Sequence, residues 1–388
     1  MIPFNKPFLT GKETDYIIEA VNSGKISGNG QFTQRCHLFF EQNYQFKKVL
    51  LTSSCTDALE MAALLADIQP GDEVIVPSYT FVSSALAFVR QGAKIVFADS
   101  CFEHPNLDAH QLESLISIKT KVIVAVHYAG VACDMDPIME LAEKYQLLVI
   151  EDAAQSFDSF YKGKPLGSIG HLGCFSFHET KNIQCGEGGM LVVNDDRFIN
   201  RAEIVWEKGT NRAEFFRGEI NKYGWVDTGS SFLPSEITAA FLFAQLENSA
   251  DIQTKRRILW EYYYDLLLPL AEQGFFKLLS LPRYASNNAH LFCLVCHSLE
   301  DRNRLIVALK NSGVMAVFHY ISLHSSQYYK SKHDGRLVPN SDLFSDCLLR
   351  LPLYYELTKE QVIYIVTTIK KAYEINRNAQ TLYHHHQP

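Results

Sequence analysis

From about residue 50 the chain alternates between short apolar runs and amphipathic segments. An apolar run bounded by turn residues predicts a buried strand, whereas apolar positions repeating every three to four residues predict a helix. The strands predicted in this way cover 73–77, 94–98, 121–126 and 147–150. Helices are predicted near 33–46, 58–66, 83–91, 107–118 and 137–145. Short strands separated by helices are typical of a mainly parallel sheet covered on both faces.

The pattern changes in the second half of the chain. The strand-like segments 173–177 and 189–193 have no helix between them, so we expect the sheet to become mixed there. Beyond residue 250, a long helix over 252–268 precedes strand-like 291–295 and 316–318 and a terminal helix near 359–373. We therefore predict an α/β protein with two domains. Residues 1–250 form the large domain, including an N-terminal arm, and residues 251–388 form a smaller C-terminal α+β domain.

Composition and charge exclude several classes of protein, among them proteins that bind nucleic acid or membranes. The 388 residues are 47% hydrophobic, and the formal net charge is −7 with no basic cluster. We therefore expect no binding to nucleic acid and none to anionic membranes. No apolar run is long enough to insert into a membrane, and the first residues lack the pattern of a secretory signal. These features predict a cytoplasmic protein.

The cysteines indicate a reducing compartment. There are nine of them, an odd number, and they show no disulfide framework. Cys293 and Cys296 have the spacing of a metal or redox motif, but they lie in an apolar run, so we predict a buried strand there. No metal site is expected.

Two acidic residues and one lysine suggest the chemistry. Glu151 and Asp152 follow a predicted buried strand, and Lys181 lies in a segment rich in glycine. An acid at a strand end and a lysine in such a segment are what an enzyme using pyridoxal 5'-phosphate (PLP) requires. The lysine forms a Schiff base with the cofactor, and the acid pairs with its pyridinium nitrogen. Taken singly, Lys181 could be a surface lysine and Asp152 a helix cap.

Other residues have the types that such a cofactor needs. Cys55 and Thr56 begin a predicted helix directly after a strand, where free backbone N–H groups favour a phosphate, although an ordinary helix start has the same pattern. Ser176 offers a second hydroxyl, and Gln155 can donate to the ring hydroxyl oxygen. Phe81 can stack on the ring, although a single aromatic residue is more often part of a core.

In this order, the motifs resemble those of the DegT/DnrJ/EryC1/StrS family of sugar-nucleotide aminotransferases. The resemblance covers about residues 2–375. The motifs that carry it are Ser54-Cys55-Thr56, Pro77-Ser78-Tyr79-Thr80-Phe81, Glu151-Asp152-Ala153-Ala154-Gln155-Ser156, Ser176 to Lys181, and Gly186-Glu187-Gly188-Gly189. It implies the aspartate-aminotransferase-like fold (PLP fold type I) and a homodimer with shared active sites.

The resemblance also implies a role for each matching residue. Lys181 would be the catalytic Schiff-base lysine, Asp152 the partner of the ring nitrogen, Gln155 the partner of the ring hydroxyl and Phe81 the stacking residue. The phosphate would be bound by the backbone of Cys55 and Thr56 and by the side chain of Ser176. Many members have an asparagine that reaches the neighbouring subunit's phosphate where this chain has the shorter Ser231. Whether that contact exists is therefore open.

Five further stretches resemble the members that aminate dTDP-4-dehydro-6-deoxy-D-glucose in enterobacterial common antigen synthesis, one of the surface polysaccharides. These stretches are 1–5, 67–75, 126–133, 207–212 and 315–321. The resemblance implies L-glutamate as amino donor and dTDP-4-amino-4,6-dideoxy-D-galactose as product. The residues leave open a gluco product, amination at C3, and a catalytically silent member of the family.

The substrate contacts are equally open. Lys208, Asn211 and Arg212 either contact the nucleotide diphosphate or lie in a solvated loop. His319 and Tyr320 either lie near the sugar or close the small domain. A related sugar 3-dehydrase carries histidine in place of the lysine, so Lys181 argues against that reaction. A nicotinamide-dependent epimerase would need a glycine fingerprint after the first strand, which is lacking.

Overall fold

The computed structural model describes residues 1–384, and its main feature is a sheet of seven strands. The strands lie in the spatial order β1-β9-β8-β5-β4-β2-β3. They are β1 (Val49–Thr52), β2 (Glu73–Pro77), β3 (Lys94–Ala98), β4 (Thr120–Val126), β5 (Leu148–Asp152), β8 (Leu172–Ser176) and β9 (Gly189–Val193). A separate two-strand ribbon consists of β6 (Phe160–Tyr161) and β7 (Lys164–Pro165).

The sheet is mixed, as the sequence predicts. Strands β3, β2, β4, β5 and β8 run parallel, whereas β9 is antiparallel to both β8 and β1. In the register of the sheet, Asp152 lies opposite Val126 on one side and Cys174 on the other. The carboxyl ends of β4, β5 and β8 therefore meet at one edge, the edge where open α/β sheets bind ligands.

Twelve helices surround the strands in the described part of the chain. Those of the first half are α1 (Glu13–Asn22), α2 (Gln31–Tyr44), α3 (Cys55–Leu65), α4 (Ser83–Val89), α5 (Met135–Tyr145) and α6 (Asp196–Trp206). Those of the second half are α7 (Arg212–Phe216), α8 (Glu236–Glu247), α9 (Ser249–Glu272), α10 (Leu299–Asn311), α11 (Pro339–Cys347) and α12 (Lys359–His384).

The core lies on both faces of the large sheet because successive side chains of a strand point to opposite faces. Val74 and Val76 pack in a cluster with α3 and α4, whereas Ile75, between them, packs in the cluster that includes α5. All three side chains are fully buried. Near-continuous apolar strands of this kind are what a sheet covered on both faces requires.

A second, three-stranded antiparallel sheet is built by the C-terminal part of the chain. It contains β10 (Lys277–Leu278), β11 (Phe292–Val295) and β12 (Leu348–Leu351) in this spatial order. Its core includes residues of α9, α10 and α12, and also Ile2 from the N-terminus. The division between residues 250 and 251 stays a prediction, and α9 runs across it. Residues 385–388 of the predicted second domain lie outside the described residues.

Two predicted elements are wrong in type. Residues 316–318 form no strand, because in the described part of the chain only Val317 pairs with β12, in a single bridge to Arg350. The carbonyl of Phe318 accepts from the Arg350 side chain at 3.0 Å. Residues 107–118 form only a short 3₁₀ helix, Ala109–Leu115. Its two buried residues, Ala109 and Leu112, are three positions apart, which suits a helix of three residues per turn.

All nine cysteines are free thiols. Cys293 lies in β11 and Cys296 directly follows it, and both are buried, in agreement with the predicted buried strand. Within residues 1–384, every helix is too short or too polar to cross a membrane.

The buried side chain of His37 makes the stability of the fold depend on pH. His37 of α2 accepts a hydrogen bond through Nε2 from the backbone N–H of Leu51 in β1, at 3.0 Å. Burial, helped by the nearby Lys48, lowers the pKa of His37 from 6.5 to about 3. Because its pKa in the unfolded chain is higher, the unfolded state binds more protons below pH 6.5. The stability that neutral His37 contributes is complete above that pH and is lost as the pH falls toward 3.

We therefore predict that His37→Gln flattens the pH dependence of stability. Below the unfolded pKa, the wild type should lose about 1.4 kcal/mol per pH unit through His37 alone. Glutamine can still accept from Leu51 but does not titrate. Urea unfolding of both proteins at pH 7 and pH 5 measures the difference. An identical loss in both proteins would contradict this account of His37.

Candidate active site

A cavity of about 610 Å³ opens at the carboxyl edge of the large sheet. Its walls come from the large sheet, from the β11–β12 sheet and from the N-terminus. Nine of the predicted site residues line it: Cys55, Thr56, Phe81, Asp152, Gln155, Ser176, Lys181, His319 and Tyr320. Residues that are far apart in sequence therefore converge on one space.

Asp152 is fixed at the end of β5. Its Oδ2 accepts a hydrogen bond from the hydroxyl of Ser84 at 2.6 Å, and its Oδ1 accepts from the N–H of Ala154 at 3.2 Å. The Ser84 hydroxyl is itself 2.9 Å from that of Thr80. Only 5% of Asp152 is exposed, yet it lines the cavity. The carboxylate is thus held in place and faces any group bound there.

The preceding carboxylate, Glu151, has a different environment because neighbouring strand residues point to opposite faces. It is fully buried and accepts from the N–H groups of Gly167, Ile169 and Gly170 at 2.6–2.8 Å. Its fourth partner is Nε2 of His127 at 2.9 Å. Since Nδ1 of His127 accepts from the N–H of Cys133, Nε2 carries the proton and donates to Glu151. This carboxylate is saturated by the fold.

Lys181 lies in the tight connection between β8 and β9. The connection is closed by backbone bonds from Phe177 to Gly188 and from Glu179 to Gly186, and the Lys181 N–H donates to His178. Burial lowers the pKa of Lys181, and Arg350 adds to the lowering, while Cys55 and Asp152 oppose it. A lowered pKa increases the fraction of neutral amine, the form that acts as a nucleophile and base.

The start of α3 provides an anion site in the cavity. Ser54 caps the helix by accepting from the N–H of Asp57 at 3.1 Å. Within residues 1–384, the N–H groups of Cys55 and Thr56 have no acceptor. The backbone of Gly189 packs so closely on this turn that a Cβ there would lie 2.3 Å from the Ser54 carbonyl carbon. Ser176, at the end of β8, lines the same part of the cavity.

These residues fit PLP. Free N–H groups and hydroxyls suit its phosphate, Asp152 suits a cationic ring nitrogen, and Lys181 is available for its aldehyde. Gln155 is fixed by accepting from the N–H of Ala129 at 2.6 Å, and its amide donates to Tyr320 at 2.9 Å, which leaves one amide hydrogen for a ring hydroxyl. Phe81 is 56% exposed at the cavity and so offers an open ring face.

His319 and Tyr320 form the opposite wall. Their rings stack with centroids 3.5 Å apart, and Nδ1 of His319 shares a hydrogen bond of 2.7 Å with the Tyr128 hydroxyl. Burial, together with Arg350 and Lys181, lowers the pKa of His319 well below its usual value. The pKa of His290, which also lines the cavity, is lowered in the same direction, mainly by burial. Both imidazoles are therefore neutral near pH 7.

Four predicted site residues do not line the cavity: Lys208, Asn211, Arg212 and Ser231. Asn211 donates to Glu214 at 3.3 Å, and Arg212 pairs with Glu207 at 3.8 Å. Ser231 is exposed and pairs with Glu207 through the backbone. Their predicted contacts with substrate and cofactor stay predictions.

The cavity also contains residues for which the sequence analysis predicts no role. Those that bear on its chemistry are Phe4, Asn5, Ser83, His127, His290 and Arg350. Ser84 does not line the cavity but donates a hydrogen bond to Asp152, which does. Arg350 of β12 is notable because its Nε is buried and has no hydrogen-bond partner among residues 1–384. The sequence predicts a helix that begins near Ser83 and Ser84, but no local pattern indicates that Ser84 contacts Asp152.

Comparisons with known proteins show the family to which the chain belongs. The model of the DegT/DnrJ/EryC1/StrS aminotransferase family matches residues 7–370. The GDP-perosamine synthase of Escherichia coli O157:H7 is 32% identical over 376 residues, which are 96% of this chain and 98% of that protein.

Solved structures give the same result. Spr1654 of Streptococcus pneumoniae, described as a sugar aminotransferase and solved in its PLP form, is 27% identical with a TM-score of 0.87 over 96% of this chain and 98% of that one. DesV of S. venezuelae has the same identity, TM-score and coverage. The chain therefore belongs to the DegT/DnrJ/EryC1/StrS aminotransferase family and is a PLP-dependent sugar aminotransferase.

Proposed function

We propose that the enzyme transfers the amino group of L-glutamate to C4 of dTDP-4-dehydro-6-deoxy-D-glucose. The products are dTDP-4-amino-4,6-dideoxy-D-galactose and 2-oxoglutarate, and the reaction serves surface polysaccharide synthesis in the cytoplasm. The observation that carries the reaction type is the shared cavity of Lys181 and Asp152. The choice of sugar is supported by the five stretches that resemble enzymes acting on this substrate.

Lys181 and Asp152 have separate roles in the proposed reaction. PLP, when bound, supplies an electron sink for the bond between the donor's α-carbon and its proton. Lys181 would hold the cofactor, and its neutral amine, once free, would take that proton as a base. Burial lowers the pKa of Lys181 and so favours the neutral amine that this step needs. Asp152, oriented by its hydrogen bonds from Ser84 and Ala154, would pair with the ring nitrogen.

Arg350 completes the donor site in this proposal. Lys181 and Arg350 are the lysine and the arginine among the described residues that line the cavity, and burial favours the neutral form of Lys181, so Arg350 is the better partner for an anion. Within residues 1–384 no carboxylate pairs with the Arg350 side chain, which makes one hydrogen bond, to the Phe318 carbonyl. A guanidinium matches a carboxylate in geometry and charge. We therefore assign it to a carboxylate of the amino donor.

The proposal includes a homodimer. Lys208, Asn211, Arg212 and Ser231 belong to a surface segment that also exposes Phe216 and Trp225, at 69% and 84%. Large exposed aromatic side chains close together are typical of a protein–protein interface. In a dimer this segment would approach the cavity of a second copy, where its basic residues suit a nucleotide diphosphate and Ser231 suits the cofactor's phosphate.

A second candidate substrate has its own support. The relative from Escherichia coli O157:H7 is named for GDP-perosamine, so a GDP-linked keto sugar must be tested as well. The experiment supplies the PLP-loaded enzyme with L-glutamate and one of two keto sugars, and assigns the product by NMR. The first is dTDP-4-dehydro-6-deoxy-D-glucose, and the second is the GDP-linked keto sugar whose amination would give GDP-perosamine. We expect a 4-amino galacto product from the dTDP sugar. A faster reaction with the GDP sugar, a gluco product or a 3-amino product would overturn the assignment of substrate but not of class.

The role of Lys181 predicts a large kinetic effect. Lys181→Ala should reduce kcat by about 10³-fold or more, because the proton transfer loses its base. Lys162→Ala is the matched control, since that lysine pairs with Asp136 at the surface. Steady-state assays of both variants measure the effect. Wild-type kcat in Lys181→Ala would refute the mechanism.

The role of Ser84 predicts weaker cofactor binding. Ser84→Ala removes the hydrogen bond to Oδ2 of Asp152, so the carboxylate is less firmly oriented, and the Kd for PLP should rise about tenfold or more. In an Asp152→Asn background the same change should matter much less, because the two residues act as a unit. Fluorescence titration with PLP measures all four proteins. Equal effects in both backgrounds would show that Ser84 acts independently of Asp152.

A further inference from the structure

The N-terminal arm, residues 1–12, is held against the cavity by hydrogen bonds to two other parts of the chain. At its start, the Ile2 N–H donates to Gly313 at 2.7 Å, and the Ile2 carbonyl accepts from Met315 at 3.0 Å. In its middle, the Asn5 amide donates to the carbonyl of Glu179 at 3.1 Å, two residues before Lys181. The arm therefore joins the C-terminal part of the chain to the segment that carries the catalytic lysine.

The arm is also fixed beyond the cavity. The Phe8 ring stacks on Tyr355 with centroids 3.8 Å apart, and the Phe8 carbonyl accepts from the amides of Gln184 and Gln245 at 3.2 and 2.9 Å. Since both ends are anchored, the residues between them have defined positions. Phe4 and Asn5 are the residues of the arm that line the cavity.

Phe4 lies on Arg350. Its ring centroid is 4.6 Å from the guanidinium carbon, within the range of a cation–π contact. Such a contact uses the flat face of the guanidinium and leaves its N–H groups, which lie in the plane, free to donate. One of these groups is already fixed by the Phe318 carbonyl, whereas Nε has no partner. The guanidinium of Arg350 is thus held on one face by the Phe4 ring and at one edge by the Phe318 carbonyl. Its other N–H groups remain available to a ligand.

We propose that Phe4 is a positioning residue, which holds Arg350 ready for a carboxylate of the amino donor. A free arginine side chain loses conformational entropy when it binds a ligand, and a side chain that is already ordered loses less. The N-terminal arm is then part of the donor site and acts through Arg350, without itself contacting the donor. This inference rests on the donor role of Arg350 in the proposed function.

The test measures equilibrium binding of glutarate, an unreactive dicarboxylate, to the PLP-loaded enzyme by calorimetry. Phe4→Leu keeps an apolar side chain but removes the ring, and its Kd for glutarate should rise about three- to tenfold. Phe4→Tyr keeps the ring and should bind like the wild type. Phe8→Leu is the matched control, because it removes an aromatic ring from the same arm at a position away from Arg350, and its Kd should not change.

A second comparison separates positioning from general damage. Arg350→Gln should weaken glutarate binding by about tenfold or more, and adding Phe4→Leu to it should then have no further effect. In turnover assays, Phe4→Leu should raise KM for L-glutamate and leave KM for the nucleotide sugar unchanged. Melting curves of the variants check that each is folded.

The outcomes distinguish the two proposals. The inference is overturned if Phe4→Leu binds glutarate like the wild type, if Phe8→Leu is affected equally, or if Phe4→Leu still weakens binding in the Arg350→Gln background. If wild-type enzyme binds no glutarate, the donor role of Arg350 is wrong and the inference falls with it. If the glutarate pattern holds while the dTDP sugar is not aminated, the arm's role stands and only the proposed sugar is wrong.

Discussion

The structure depends on two consecutive carboxylates at the end of the central strand β5. Burying a carboxylate is costly unless hydrogen bonds replace its water, and an ionised carboxylate accepts about four of them. Glu151 receives its full set from three backbone N–H groups and His127, all within the fold. Within residues 1–384, Asp152 receives only two, from Ser84 and Ala154. One carboxylate is thus structural, and the other retains capacity for a cationic partner in the cavity.

The other residues that line the cavity also differ in how many of their hydrogen-bonding groups already have a partner. His127, both of whose ring nitrogens are hydrogen-bonded, forms part of the wall, whereas groups with free capacity, such as the Gln155 amide, mark where ligands belong. The free N–H groups of Cys55 and Thr56 suit a phosphate, and the unpaired Nε of Arg350 suits an anion on the opposite side. Lys181 lies in the same cavity, where burial favours its neutral form. The unsatisfied donors and acceptors therefore outline a negatively charged cofactor and a negatively charged donor.

Local patterns in the sequence were enough to predict most of the large sheet and the residues that follow its strands. Asp152, Ser176 and Lys181 were found because each follows or flanks a strand that periodicity predicts. Ser84, His127 and Arg350 were missed because their importance arises only from contacts over long sequence distances. Phe4 could not be placed for the same reason, since nothing in the first five residues indicates a partner at residue 350. The 316–318 strand was wrong because pairing with β12 ends after one bridge at Val317, a long-range feature that the local apolar pattern does not reveal.

The central claim is that Lys181 holds PLP beside Asp152. The most direct measurement is to reduce the PLP-loaded enzyme with borohydride, digest it, and locate the modified residue by mass spectrometry. The account predicts that the mass of the reduced cofactor is found on Lys181 and on no other lysine. Modification of a different lysine, or an unmodified Lys181 peptide after complete reduction, would contradict it.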